Sequence, residues 1–214
     1  MLKAKHGFSF IVAAFFVLLL VACSDGVTPQ SSDSETSVST GTMTDSRDGQ
    51  TYKTVTIGTQ TWMAENLNYE TANSYCYDDN ASYCSKYGRL YTWAAATTAC
   101  PESWHLPTKA KFETLFTAVG GQSTAGKMLK SATGWTAYGG ITNEDAFAFS
   151  ALPAGMRFSN LGYYYEGYNA FSWSSTEDYG GGVYLMHLYY DNDGAGLLSD
   201  DRKCYGYSVR CLKD

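Results

Sequence analysis

The chain has 214 residues, with 15 basic and 21 acidic side chains and a formal net charge of −6. This acidic balance argues against nucleic acid and anionic lipid headgroups as partners. Its length provides for one folded domain of about 165 residues, with a single core, after a long N-terminal segment of different composition.

The N-terminal segment has the layout of a secretory signal. Lys3 and Lys5 precede an apolar run over residues 8–22, which stops at Cys23. The run is shorter than the roughly 20 residues that a membrane-spanning helix needs. Residues 20–23, Leu-Val-Ala-Cys, resemble the bacterial lipobox, which implies a signal peptide over residues 1–22 and lipidation of Cys23. Ser24, in place of the aspartate typical of inner-membrane retention, favours an outer-membrane lipoprotein.

A tract rich in Ser, Thr and Asp follows Cys23 and contains almost no large apolar side chains. Such a composition cannot bury enough surface to offset its ordering entropy, so residues 23–48 are predicted to be a flexible tether. Residues 49–214 are then the folded domain. Removing Lys3 and Lys5 from the 15 basic residues leaves 13 against 21 acidic ones, a net charge of −8 for the exported part.

Five cysteines remain after Cys23, and an exported domain meets an oxidising compartment, so disulfides are expected. Cys76 and Cys84 flank a short Asp/Asn-rich loop that a local bridge would close. Cys100 can close a long loop with either Cys204 or Cys211. We favour Cys211 because it lies in an alternating run typical of a terminal strand, which leaves Cys204 free, inter-chain or competing for the same partner.

The central part of the chain predicts a hairpin and then short helices. Residues 50–66 alternate on both sides of Gly58-Thr59, which is typical of a β-hairpin. Residues 90–98 are rich in alanine and end at a Cys-Pro pair, and Thr108 can cap a helix that stops at Gly120-Gly121. Another short helix is predicted over residues 125–131.

The last eighty or so residues are rich in Gly, Tyr and Ser and predict several short antiparallel strands. Early helices and late strands indicate an α+β domain whose first and last strands meet, as the long disulfide would require. The alternating runs cover residues 162–165, 170–174, 183–190 and 205–212.

Six blocks in order resemble the Fibrobacter succinogenes major paralogous domain family. Through a W-x-L-P-T segment and a final V-R-C strand, that family in turn resembles the C-type-lectin-like fold shared with formylglycine-generating enzymes. The resemblance implies an α+β, C-type-lectin-like domain with two or three short helices and several short antiparallel strands, braced by disulfides. The blocks are IGTQTWMAENLNY (57–69), CYDDNASYCSKYGRLYTWAAA (76–96), CPESWHLPT (100–108), FSALPAGMR (149–157), FSWSSTE (171–177) and YSVRCLKD (207–214).

No catalytic constellation is evident in the sequence. His105 has no orienting carboxylate or nucleophile in its motif and is predicted to be structural, and His187, on an alternating strand, is predicted to be a satisfied, half-buried histidine. Residues 191–194, Asp-Asn-Asp-Gly, fail the EF-hand spacing and favour a hairpin turn, although calcium remains an alternative. We therefore expect no catalytic residue, no cofactor and no bound metal.

The chain has 18 tyrosines and five tryptophans, more than the core of a small domain is expected to hold. Tyrosines on glycine-rich loops are a common recognition surface, because they combine rigid contact area with a polar tip. We predict a non-catalytic recognition or adhesion domain for an extracellular polysaccharide or protein. The alternatives are a structural envelope component, and a cell-wall glycan hydrolase acting through carboxylates such as Glu177 and Asp178. The candidate ligand-binding residues are Tyr163, Tyr164, Tyr165, Tyr168 and Tyr179.

Overall fold

The computed structural model describes residues 38–214. The predicted signal peptide over residues 1–22, the lipidation site Cys23 and the first part of the predicted tether lie outside the described residues. Within residues 38–214, no helix is long and apolar enough to cross a membrane.

The described chain holds short strands and four α-helices. The strands are β1 (Val38–Thr44), β2 (Thr51–Ile57), β3 (Gln60–Met63), β4 (Ser74–Tyr75), β5 (Leu90–Tyr91), β6 (Trp104–His105), β7 (Ala154–Arg157), β8 (Tyr163–Glu166), β9 (Asn169–Glu177), β10 (Val183–Tyr189), β11 (Ala195–Asp200) and β12 (Leu212–Lys213). The helices are α1 (Ala81–Tyr87), α2 (Trp93–Ala99), α3 (Lys109–Ala118) and α4 (Gln122–Leu129).

The first sheet joins the two ends of the domain, in the order β1-β2-β3-β12-β6. The predicted hairpin is confirmed, because β2 and β3 pair antiparallel on either side of Gly58-Thr59. Leu212 in β12 faces Trp62 in β3 and His105 in β6. The first and last parts of the domain therefore meet in one sheet, as the sequence predicted.

Strand β1 corrects the predicted extent of the tether, because it lies inside residues 23–48. It pairs with β2 along its whole length, from Val38 opposite Ile57 to Thr44 opposite Thr51. Most of its side chains are exposed, so the strand has no hydrophobic pattern that could reveal it. Backbone hydrogen bonds to β2 hold it in place, and the folded domain begins at least eleven residues before the predicted boundary at residue 49.

Helices α2 and α3 follow their local signals. The side chain of Thr108 accepts a hydrogen bond from the backbone N–H of Lys111 at 3.3 Å, which confirms the predicted cap of α3. Helix α2 ends before Cys100-Pro101 as predicted but begins only at Trp93, because the two residues of β5 pair with β4.

The predicted number of two or three helices was too low, since α1 was assigned to a loop. Its start is capped by Asn80, whose side-chain oxygen accepts from the backbone N–H of Ser82 at 3.0 Å. Helix α4 covers residues 122–129 where 125–131 was predicted.

The second sheet has the order β11-β10-β9, and β7 and β8 form a separate hairpin. Leu188 in β10 faces Ala195 in β11, so residues 190–194 are the predicted turn. The predicted strand over residues 205–212 is only partly formed: Tyr207 and Ser208 make isolated bridges, and regular pairing resumes at Leu212. These elements make an α+β domain.

Both predicted disulfides are present. Cys76 is joined to Cys84, with 4.9 Å between the Cα atoms, and Cys100 is joined to Cys211, with 5.8 Å between them. Cys204 is free and exposed. The longer bridge connects the residue after α2 to the residue before β12, so it ties the middle of the chain to the C-terminal strand of the first sheet.

Candidate functional site

An open cleft of about 550 Å³ lies between the β7–β8 hairpin and the second sheet. This volume is within the usual range for small-molecule sites. Its walls are mainly aromatic, with polar groups at one side. The aromatic lining residues are Phe158, Tyr164, Tyr165, Phe171, Tyr189 and Tyr207.

Two successive tyrosines of β8 line the same cleft, which a regular strand does not allow, because neighbouring side chains point to opposite faces. The backbone of Tyr165 has a φ of 67°, in the left-handed region. This φ breaks the alternation and brings the ring of Tyr165 to the side of Tyr164. The structure therefore gathers Tyr164 and Tyr165 at the cleft.

Gly155 makes this local distortion possible from across the hairpin. It lies between the residues that pair with Tyr164 and Glu166, and it also has a positive φ, of 65°. A Cβ atom at this position would come within 2.3 Å of the carbonyl oxygen of Tyr164. A glycine is therefore required opposite the distorted segment.

Tyr163 does not reach the cleft. Its ring packs 5.2 Å from the ring of Tyr77, and its hydroxyl lies 2.5 Å from a carboxylate oxygen of Asp79. Burial, together with the contact to Asp79, raises the pKa of Tyr163 to about 12. These contacts give Tyr163 a structural role on the other side of β8.

Tyr168 and Tyr179 also lie outside the cleft. The ring of Tyr168 is 5.0 Å from that of Tyr190, which lies 5.5 Å from Tyr138, and we call these three the tyrosine cluster. Both Tyr168 and Tyr138 are exposed. Tyr179 is fully exposed in the loop that joins β9 to β10.

The polar side of the cleft is an ion pair that no local pattern in the sequence indicates. Arg202 donates from Nε and Nη2 to the two carboxylate oxygens of Asp200, at 2.7 and 3.1 Å. The hydroxyl of Tyr207 donates to the same carboxylate at 2.9 Å. The Asp200 side chain is 1% exposed, whereas that of Arg202 is 52% exposed.

Burial alone would raise the pKa of Asp200, but the hydrogen bonds from Arg202 and Tyr207 outweigh it and lower the pKa below its ordinary value. The carboxylate is therefore ionised at neutral pH and the pair has no net charge. Asp200 ends β11 and Arg202 follows it by two positions, and only the tertiary fold places them beside the tyrosines.

The family model of the Fibrobacter succinogenes major domain matches residues 55–213 of the chain. The chain belongs to this family. No curated protein and no solved structure matches it. The matched range contains both disulfides and the whole cleft. Strand β1 lies before it. The resemblance to C-type-lectin-like folds stays a prediction.

His105 has the contacts of a structural residue in this member of the family. Its Nδ1 lies 2.5 Å from a carboxylate oxygen of Asp214, and its backbone pairs with Leu212. It joins the edge of the first sheet to the C-terminal strand β12. Its position is therefore explained by the sheet.

His187 differs from the prediction of a satisfied histidine. It is half-buried, its Nδ1 is buried without a hydrogen-bond partner in the described structure, and its ring lies 4.6 Å from that of Tyr189. Gly196 in β11 pairs with it, and a Cβ atom at Gly196 would come within 2.1 Å of the imidazole. The imidazole ring occupies the space left by the missing side chain of Gly196. No described group accepts a hydrogen bond from Nδ1, so nothing there stabilises the protonated, charged imidazole.

We expect His187 to make the domain less stable in mild acid. Burial lowers the pKa of His187 below 6.5, so the unfolded chain binds a proton at this position that the folded chain resists. Stability should therefore fall as the pH drops below 6.5. Urea denaturation of the wild type and His187→Gln between pH 7.5 and 5 tests this, and an equally steep loss in both proteins would contradict it.

Asn192, Glu177 and Asp178 are engaged in local structure, whereas Oδ1 of Asp193 is buried without a hydrogen-bond partner in the described structure. Asn192 accepts a hydrogen bond from the backbone N–H of Gly194 at 2.6 Å, as expected for a turn. Within residues 38–214, no group of three or more His, Cys, Asp or Glu side chains is placed to hold a metal ion. A carboxylate oxygen of Glu177 lies 2.6 Å from Nζ of Lys203. Asp178 accepts hydrogen bonds from the backbone N–H groups of Gly180 and Gly182 in its own loop.

Proposed function

We propose that the protein is an outer-membrane lipoprotein whose domain is non-catalytic and recognises an extracellular ligand, a polysaccharide or a protein, in the tyrosine-lined cleft. The observation that carries the proposal is the pair Tyr164 and Tyr165, which the left-handed φ of Tyr165 brings to the same cleft. The two rings are 45% and 52% exposed, so they are available for contact. Exposed tyrosines beside hydrogen-bonding groups are typical of recognition surfaces.

The membrane attachment in this proposal rests on the sequence around Cys23. An acyl chain contributes about 0.8 kcal/mol per buried methylene, so two or three chains hold a protein at a bilayer. We expect Cys23→Ala to abolish incorporation of labelled fatty acid and to prevent correct localisation in cell fractionation. An outer-membrane fraction unchanged by the substitution would contradict lipid anchoring at Cys23.

The recognition role predicts that Tyr165 contributes to binding without supporting the fold. We expect Tyr165→Ala to weaken retention on envelope material or insoluble polysaccharide about tenfold, which corresponds to the loss of about 1.4 kcal/mol. Its Tm should stay within about 3 °C of the wild type, because the ring is half exposed.

Tyr179→Ala is the matched control for Tyr165→Ala, since it removes an exposed tyrosine outside the cleft. It should bind as the wild type does. If retention and Tm fall together in Tyr165→Ala, or if both variants lose binding equally, the cleft is not the recognition site.

A structural role in the envelope is the second candidate, and the exposed tyrosine cluster of Tyr138, Tyr168 and Tyr190 favours it. Exposed aromatic groups outside a cleft are suited to contacts with neighbouring proteins. Envelope complexes isolated through this protein would then contain a partner in fixed stoichiometry. Tyr138→Ala would release that partner, whereas Tyr165→Ala would not.

A further inference from the structure

The cleft combines aromatic rings with a neutral pair of charges. Arg202 and Asp200 neutralise each other, and the lining also includes the amide of Asn169. The guanidinium is half exposed, so part of it faces solvent at the cleft. Such a surface offers stacking faces and both donors and acceptors, without a charge for an ionic ligand to neutralise.

The backbone at Tyr165 also bears on the role of the cleft. A non-glycine residue in the left-handed region is strained, and strain of this kind is concentrated at functional sites. A glycine at this position would adopt the same φ without strain. The chain instead places a large aromatic side chain there, half exposed and beside a second exposed tyrosine.

We infer that the ligand of the cleft is an uncharged polysaccharide, with a sugar ring stacked on Tyr165 and its hydroxyl groups hydrogen-bonded to Arg202 and Asn169. This inference rests on the proposed function and names its ligand class. An aromatic ring matches the apolar C–H face of a pyranose. Planar polar side chains match the hydroxyl groups around its equatorial rim.

Charge decides between a neutral and an acidic glycan. The chain has a net charge of −6, and the one exposed cation of the cleft is already held by a buried carboxylate. An anionic polysaccharide would bring many like charges to an acidic protein, with no unpaired cation in the cleft lining to compensate. A neutral chain avoids this repulsion.

The test compares pairs of polysaccharides that share a backbone and differ mainly in charge. Affinity electrophoresis of the full chain in detergent uses highly methyl-esterified and de-esterified homogalacturonan, and hydroxyethylcellulose and carboxymethylcellulose, with neutral xylan, mannan and starch. At least one neutral polysaccharide should retard the protein. If the neutral member of a homogalacturonan or cellulose pair binds the protein, the anionic member of that pair should bind at least about tenfold more weakly, a difference of about 1.4 kcal/mol.

Variants at Tyr165 connect the binding to the strained residue. Tyr165→Phe keeps the ring and should bind within about threefold of the wild type, or about 0.6 kcal/mol. Tyr165→Gly should lose at least about tenfold in affinity, or about 1.4 kcal/mol, while its Tm is unchanged or raised, because glycine relieves the strain. Tyr165→Asn, which also tolerates a left-handed φ, provides a second variant if the glycine variant folds poorly.

Two results would overturn the inference: retention by the anionic members that equals or exceeds retention by the neutral ones, or unchanged retention in Tyr165→Gly and Tyr165→Asn. If no neutral polysaccharide retards the protein but an envelope protein binds it in a Tyr165-dependent way, the inference fails and the proposed function stands. If neither polysaccharide nor envelope protein is bound through Tyr165, both fail.

Discussion

Replacing Cys100 and Cys211 by alanine is expected to lower the free energy of unfolding by about 4–5 kcal/mol. The bridge closes a loop with a sequence separation of 111 residues, and the entropy that it removes from the unfolded chain grows with the logarithm of loop length. It also joins α2 to the segment before β12, and Cys211 is fully buried. Urea denaturation under oxidising conditions measures the loss.

The second disulfide provides a matched control. Cys76 and Cys84 are separated by only 8 residues, so replacing both by alanine should cost about 2.5 kcal/mol in the same chain-entropy treatment. An equal or larger loss from the short bridge would show that loop closure does not explain the stabilisation by Cys100–Cys211.

Arg210→Ala is the second substitution with a large expected effect, about 3–5 kcal/mol. Arg210 is 1% exposed, and its guanidinium donates to the side-chain oxygen of Asn66 at 2.9 Å and to the carbonyl oxygens of Phe149 and Ser150. Burial lowers the pKa of Arg210, but the side chain stays charged at neutral pH. Its removal leaves a cavity and buried acceptors without donors, both of which destabilise a fold.

Lys109→Ala is the control for this prediction, because Lys109 pairs with Glu113 and their side chains are 36% and 54% exposed. A surface ion pair contributes roughly 1 kcal/mol or less. Chemical denaturation of both variants should therefore separate them by at least about 2 kcal/mol. Equal losses would mean that Arg210 does not organise the core.

Local signals allowed much of the fold to be predicted from the sequence. Gly58-Thr59 between two alternating runs defines a hairpin, and Thr108 caps a helix through its own side chain, so neither depends on distant residues. The pairing of Cys100 with Cys211 followed from the alternating run at the C-terminus. Strand β1 was missed because its side chains are polar and exposed, and its stability comes from pairing with β2.

The site was less predictable, because its parts come together only in the tertiary structure. Tyr164 and Tyr165 were selected by composition, but the backbone that directs both to one cleft depends on Gly155 across the hairpin. Composition equally selected Tyr163, which is held by Tyr77 and Asp79 instead. No local pattern connects the Asp200 and Arg202 pair to these rings.

In the proposed function, the cleft rather than another tyrosine surface contacts the ligand. NMR of the full chain with ¹³C-labelled tyrosine rings, titrated with the polysaccharide or envelope protein that retains it, tests this most directly. The signals of Tyr164, Tyr165 and Tyr189 should shift, while that of Tyr179 should not. Shifts confined to the tyrosine cluster of Tyr138, Tyr168 and Tyr190 would contradict this expectation.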